Sequence, residues 1–259
     1  MQFKDTARLR TPRVLITRPE GQQLDFSQGC EALGYSVALL PCLQIVPCKT
    51  DLPYFTRLLD THGTALFTSA NAVQMAHRLR PLPWPQIHIH AIGAATAHAL
   101  DQYQQKVALI PQAPYNSEAY LKQLADTRPG SLLIIKGIGG RDLILPRLQS
   151  LGWQVSAVAL YERLLPDVTT ETIDTLFTDT LPDIVSVTSN ETLSNLWQLC
   201  RQYTGELSTM PLVVNSQRCA QLAADLGFKN AALIAEPAGN EGQLSCLAQW
   251  KKQEFDPHY

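Results

Sequence analysis

Runs of continuous apolar residues, such as Leu132-Leu133-Ile134-Ile135 and Val107-Ala108-Leu109-Ile110, alternate along the chain with longer stretches of mixed polarity. A strand that is apolar at every position is covered on both faces, so these runs predict parallel sheets flanked by helices. The pattern also repeats. Val14-Leu15-Ile16-Thr17-Arg18, Gly21 and Leu33-Gly34-Tyr35-Ser36-Val37 recur 118 positions later, without a gap, as Leu132-Leu133-Ile134-Ile135-Lys136, Gly139 and Leu151-Gly152-Trp153-Gln154-Val155. Each copy reads as buried strand, turn, helix, Gly C-cap and next strand.

The correspondence continues through Phe67-Thr68-Ser69-Ala70-Asn71 and Val187-Thr188-Ser189-Asn190-Glu191, where an apolar strand runs into hydroxyl and amide residues able to N-cap a helix. Ala91-Ile92-Gly93-Ala94-Ala95-Thr96 pairs with Val213-Val214-Asn215-Ser216-Gln217-Arg218, each before an Ala-rich helix, and Val107–Ile110 pairs with Ala231–Ile234. Two doubly wound α/β lobes related by duplication are expected. The extended, proline-bounded segments around Leu40–Ile45 and Leu160–Pro166 read as the connections between them. The repeats leave open which lobe takes the first strand and helix.

Composition narrows the class. A chain of 259 residues with 45% hydrophobic and 17% charged positions is globular and long enough for two cores. The net charge of −2 and the absence of any Lys/Arg run argue against a nucleic-acid or anionic-membrane partner while leaving local anion sites open. Met1 to Arg13 lacks an apolar signal core, and no stretch approaches the roughly 18 apolar residues of a membrane span, so a cytoplasmic protein is expected. Six cysteines without a CxxC pair suit reduced thiols. His88 and His90 share one side of a strand, but no Cys, Asp or Glu stands nearby to complete a metal site. No cofactor is expected.

Ligands of open α/β sheets bind beyond the carboxyl ends of the strands, where helix N-termini present free amides. Thr68, Ser69 and Asn71 in one lobe, Thr188, Ser189 and Asn190 in the other, and Gly93 and Ser216 at adjacent strand ends all fall at such points. Capping alone accounts for any one of these turns; four of them in two lobes point to an anion-binding cleft. Gly137-Ile138-Gly139-Gly140-Arg141-Asp142 starts like a dinucleotide fingerprint, yet Asp142 replaces its last glycine and no acidic residue ends the following strand. A P-loop, a nucleophile elbow and a distinctive carboxylate pair are likewise missing. Tyr161, at the end of an apolar strand, either packs at the lobe boundary or turns its phenol to the cleft.

Thr17-Arg18-Pro19, Phe67 to Val73, Ile92 to Ala97, Asn116-Ser117-Glu118, Gly137 to Arg141, Leu160-Tyr161-Glu162-Arg163 and Ser216-Gln217-Arg218, in this order and spacing, resemble uroporphyrinogen-III synthases from Val14 to Trp250. The resemblance implies two flavodoxin-like lobes with parallel sheets joined by a two-stranded connector. Residues 1–39 with 167–259 would form one lobe, 45–159 the other, and 40–44 and 160–166 the connectors. It also implies the substrate hydroxymethylbilane, a linear tetrapyrrole whose rings each bear an acetate and a propionate. Arg18, Thr68, Ser69, Asn71, Gly93, Thr96, Arg141, Thr188, Ser189, Asn190, Ser216, Gln217 and Arg218 are then the substrate-binding candidates.

In this chemistry the terminal hydroxyl leaves to give an azafulvene, ring D is attacked at its substituted carbon, and a spiro intermediate recloses with ring D inverted. Orientation of the substrate carries most of the work, and Tyr161 matches the tyrosine that assists hydroxide loss. A monomer is implied, with at most transient contact with the preceding enzyme of the pathway. The alternative is a bilobed cytoplasmic small-anion binding or sensor protein, although no DNA-binding segment accompanies it. A paired receiver module would need acidic strand ends for Mg²⁺, whereas here they are Thr, Ser, Gly and Asn.

Overall fold

The computed structural model describes residues 10–140, 142–179 and 181–255. Ten strands are defined: β1 (Arg13–Ile16), β2 (Ser36–Leu39), β3 (Gln44–Pro47), β4 (Thr64–Phe67), β5 (His88–Ala91), β6 (Ser131–Gly137), β7 (Gln154–Leu164), β8 (Ile184–Ser186), β9 (Leu212–Val214) and β10 (Leu233–Ile234). The helices are α1 (Leu24–Ala32), α2 (Leu52–Thr61), α3 (Ala70–Leu79), α4 (Ala94–Asp101), α5 (Ser117–Leu124), α6 (Ile144–Ser150), α7 (Thr170–Thr178), α8 (Asn190–Leu199), α9 (Thr204–Leu207), α10 (Gln217–Leu226) and α11 (Asn240–Phe255). The chain divides into two compact units, Met1–Gln44 with Leu164–Tyr259, and Ile45–Arg163. The division therefore falls at the first residue of β3 and the last of β7, and residues 160–163 continue a sheet strand of the second unit.

Each unit is built on one five-stranded sheet, ordered β10-β9-β8-β1-β2 in the first and β3-β7-β6-β4-β5 in the second, with parallel pairing along the central strands. Read from its other edge the second sheet is β5-β4-β6-β7-β3, with an isolated parallel bridge from His90 to Leu109 beyond β5. The strands paired by the sequence repeat thus hold the same places in order. β1 and β6 are flanked by β2 and β7 on one side and by β8 and β4 on the other, followed by β9 and β5. β3 is an addition outside β7.

The apolar runs bury both faces. Leu15 of β1 meets Val185, Val214 and the inner sides of α7, α8 and α10. Its neighbours Val14 and Ile16 point the other way, to Phe26 and Cys30 of α1 and Leu247 of α11. In the second unit Leu133 and Ile135 of β6 pack with Phe67 beneath α2, α3 and α4, while Leu132, Ile134 and Leu66 pack against α5 and α6. All six cysteines are free, and Cys30, Cys42, Cys200 and Cys219 are buried.

His88 and His90 differ in environment despite their shared side of β5. His88 is exposed, whereas His90 is buried with Nδ1 2.9 Å from the Tyr120 hydroxyl. Burial, with a smaller contribution from His88, lowers His90 from its ordinary 6.5 to about 4. A folded value below the unfolded one means that His90 contributes fully above pH 6.5, and that this contribution is lost as the pH falls from 6.5 towards 4. Urea unfolding should register about 2 kcal/mol of pH-dependent stability from this residue between about pH 7 and 4.5. In His90→Gln that part of the slope should vanish; an unchanged slope would assign the acid sensitivity to other groups.

Candidate active site

The strand-to-helix turn after β4 positions the first candidate side chain. Ser69 has extended backbone, and its Oγ accepts the Ala72 N–H at 3.1 Å, which caps α3. The same Oγ lies 2.9 Å from the hydroxyl of Tyr161. Tyr161 reaches it through an irregularity in β7. Strands β6 and β7 pair residue for residue from Ser131 opposite Gln154 to Lys136 opposite Ala159, and then Gly137 stands opposite Tyr161. Leu160 is the extra residue of a bulge, which breaks the two-residue alternation, so that Leu160 and Tyr161 both enter one core cluster.

The Tyr161 ring lies directly against Gly137. A Cβ at that glycine would come within 2.6 Å of the ring, nearer than real Cβ contacts allow. The Ile138 N–H then donates to the Tyr161 carbonyl at 2.7 Å, which fixes the strand end. Tyr161, only 2% exposed, lines a recess of about 230 Å³ together with Thr68, Ser69, Ser117, Lys136, Asp142 and Arg163.

Other candidates in this unit take different roles. Both the N–H and Oγ1 of Thr68 donate to the Ile135 carbonyl, at 3.1 and 3.3 Å, binding the turn to the sheet. Asn71 sits in the first turn of α3 and Gly93 is the N-cap residue of α4. Thr96 is buried in α4 and does not line the recess. Arg141 lies outside the described residues.

In the first unit Ser189 caps α8 by accepting the Thr192 N–H at 3.1 Å, and Ser216 caps α10 by accepting the Cys219 N–H at 3.2 Å. The Thr188 carbonyl accepts from Asn215 Nδ2 at 3.3 Å, and Asn215 Oδ1 accepts the Gly239 N–H at 3.1 Å. Asn190 Nδ2 approaches the Arg218 carbonyl at 3.5 Å, while Gln217 and Arg218 are exposed in the first turn of α10. Beyond β1, the Arg18 guanidinium stacks 4.0 Å over Phe26 and donates to Asn240 Oδ1 at 2.7 Å and Gln243 Oε1 at 3.2 Å. Desolvation lowers Arg18 to about 10, so it remains cationic at neutral pH. Its hydrogen-bond partners are neutral amide oxygens.

A family model described as uroporphyrinogen-III synthase HemD matches residues 25–243. The chain belongs to the uroporphyrinogen-III synthase family. It is 30% identical to the uroporphyrinogen-III synthase of Escherichia coli K12 over 245 residues, covering 90% of this chain and 99% of that protein. With the synthase of Synechococcus elongatus it shares 25% over 260 residues, 93% of this chain and 96% of the relative. Among solved structures, the synthase of Helicobacter pylori superposes with a TM-score of 0.61 at 16% identity, covering 93% and 100% of the two chains. A mutant uroporphyrinogen III synthase from the extreme thermophile Thermus thermophilus gives 0.60 at 18%, covering 93% and 98%. At those identities the structural likeness speaks for the fold.

Within this family fold the second unit gathers Thr68, Ser69 and Tyr161 in one recess, and the first unit sets Thr188, Ser189, Asn190 and Ser216 at two helix starts. Reasoning from sequence passed over Lys136, Asp142, Asn215 and Gln243. Lys136 was readable, since it stands opposite Arg18 in the repeat. Gln243 carried no local signal: it is fully buried in α11, donating to the Val187 carbonyl and accepting from Ser186.

Gly137→Ala should force the Tyr161 ring aside and cost about 1–3 kcal/mol in urea unfolding. Most of that cost should disappear in a Tyr161→Ala background, where the clash has no partner. Equal costs in both backgrounds would mean that the glycine serves the backbone and not the ring.

Proposed function

We propose that the protein cyclises hydroxymethylbilane to uroporphyrinogen III with inversion of ring D, and that Tyr161 assists loss of the terminal hydroxyl. The observation that carries the assignment is the 2.9 Å contact between the Tyr161 hydroxyl and Ser69 Oγ at the start of α3. Ser69 Oγ already accepts the Ala72 N–H. Its own proton can then go to Tyr161, which leaves the phenolic proton for the substrate oxygen. Such a chain of donors polarises along its length.

As the hydroxymethyl C–O bond breaks, the electron pair leaves with oxygen and the pyrrole nitrogen supplies electrons to form the azafulvene. The phenolic hydrogen bond strengthens as charge grows on the departing oxygen. The substituted carbon of ring D then attacks the exocyclic carbon, and the spiro intermediate opens and recloses as the inverted ring. The pyrroles provide the nucleophile and the electrons, so this reading assigns no metal or organic cofactor. Substrate acetates and propionates meet the N-terminal turns of α3, α4, α8 and α10, and Arg18 adds positive charge in the first unit.

The same reading treats the two units as products of a duplication, joined by the chain passing through 40–44 and 160–166. Its support is the gap-free repeat and the shared strand order. It also takes the working enzyme as a cytoplasmic monomer, which receives its substrate with at most transient contact with the preceding enzyme.

Incubation with freshly generated hydroxymethylbilane, followed by oxidation and isomer separation, should yield type III porphyrin above the spontaneous type I product. Type I alone would refute the activity. Tyr161→Phe should lower kcat by about ten- to a hundredfold with a smaller change in KM, because the lost bond counts mainly in the transition state. The product should remain type III, since folding of the substrate is untouched. An unaltered kcat would reduce Tyr161 to a packing residue.

A further inference from the structure

We infer that Lys136 binds a substrate carboxylate in the Tyr161 recess, and that Asp142 is a resident counter-ion which this carboxylate displaces. The inference rests on the synthase reading and adds a subsite to it. Lys136 is the last residue but one of β6 and lines the same recess as Tyr161 and Ser69. Its ammonium stands 3.6 Å from Asp142 Oδ1, with the lysine side chain 22% and the aspartate 65% exposed.

The loop between the two residues accounts for the pairing. Gly139 and Gly140 have φ of 77° and 84°, left-handed values that glycine adopts without strain, and the chain then leads to Asp142 at the recess. The final position of the broken dinucleotide fingerprint therefore supplies a carboxylate, which suits a cation and disfavours a phosphate.

The pair is built to be exchanged. At 3.6 Å it is longer than a charge-assisted hydrogen bond, which closes to about 2.7–2.9 Å, and an exposed partner is well screened. An acetate or propionate entering the recess brings its own carboxylate within reach of Lys136 while Asp142 returns to water. Arg163 lines the recess as well and adds a second positive charge near the phenol. The first unit offers a comparison. Arg18, which follows the equivalent strand, is held by the neutral oxygens of Asn240 and Gln243, so its charge is left for a ligand. Lys136 carries an internal substitute instead.

Steady-state kinetics with freshly generated hydroxymethylbilane separate these roles. Lys136→Met should raise KM about tenfold, as expected for one charge-assisted contact, and Lys136→Arg should recover most of the loss. Asp142→Asn should lower KM about two- to fivefold by removing the competitor, with the effect falling on KM more than on kcat. In the Lys136→Met background Asp142→Asn should change nothing. A purely structural ion pair predicts the opposite for Asp142→Asn, namely an unchanged or raised KM, and either result would overturn the subsite. Turnover by the unaltered protein with KM indifferent to Lys136→Met would overturn it too, leaving the synthase reading intact. Lack of type III product from the unaltered protein would overturn both.

Discussion

One register shift decides which face of the second unit's sheet carries Tyr161. Had β6 and β7 stayed in step beyond Lys136 and Ala159, Leu160 would stand opposite Gly137 and Tyr161 would fall to the other face of the sheet. The inserted residue turns the phenol to the face that carries Ser69. Gly137 then leaves the volume that the ring occupies, since no side chain fits between them. Bulge, glycine and serine cap all converge on the Tyr161 side chain.

Parallel sheets deliver every strand end to the same edge. β4 ends in the Ser69 cap, and in the first unit β8 and β9 end in the Ser189 and Ser216 caps, each Oγ accepting an N–H three residues on. Capping takes up one amide per helix and leaves the others, with the positive dipole end, at the carboxyl edge of that helix's own sheet. A chain of net charge −2 can thereby address a substrate carrying many carboxylates.

The two units, alike in strand order, diverge in their chemistry. Ser189 Oγ has the Thr192 hydroxyl as its neighbour at 2.9 Å, whereas its counterpart Ser69 has Tyr161 at the same distance. Each of the strands β1 and β6 has a cation near its end, but half-buried Arg18 lies among amides and an aromatic ring, and Lys136 faces a carboxylate.

Local chemistry written into the sequence determined the strands, their burial on both faces, and the serine caps. Apolar runs such as Leu132–Ile135 can be satisfied only beneath helices on both sides, and a serine before a helix has an N–H to accept wherever the fold puts it. The repeat likewise carried the correspondence of strands into the sheets. Tertiary structure decided what depended on neighbours distant in sequence. Alternation along β7 predicts the wrong face for Tyr161, because the bulge exists only in its pairing with β6. Thr96 of α4 is buried, and so is Gln243 of α11, which no local pattern marks. A polar side chain has the same composition whether it meets water, a ligand or a buried carbonyl, and only the packed chain supplies its partner.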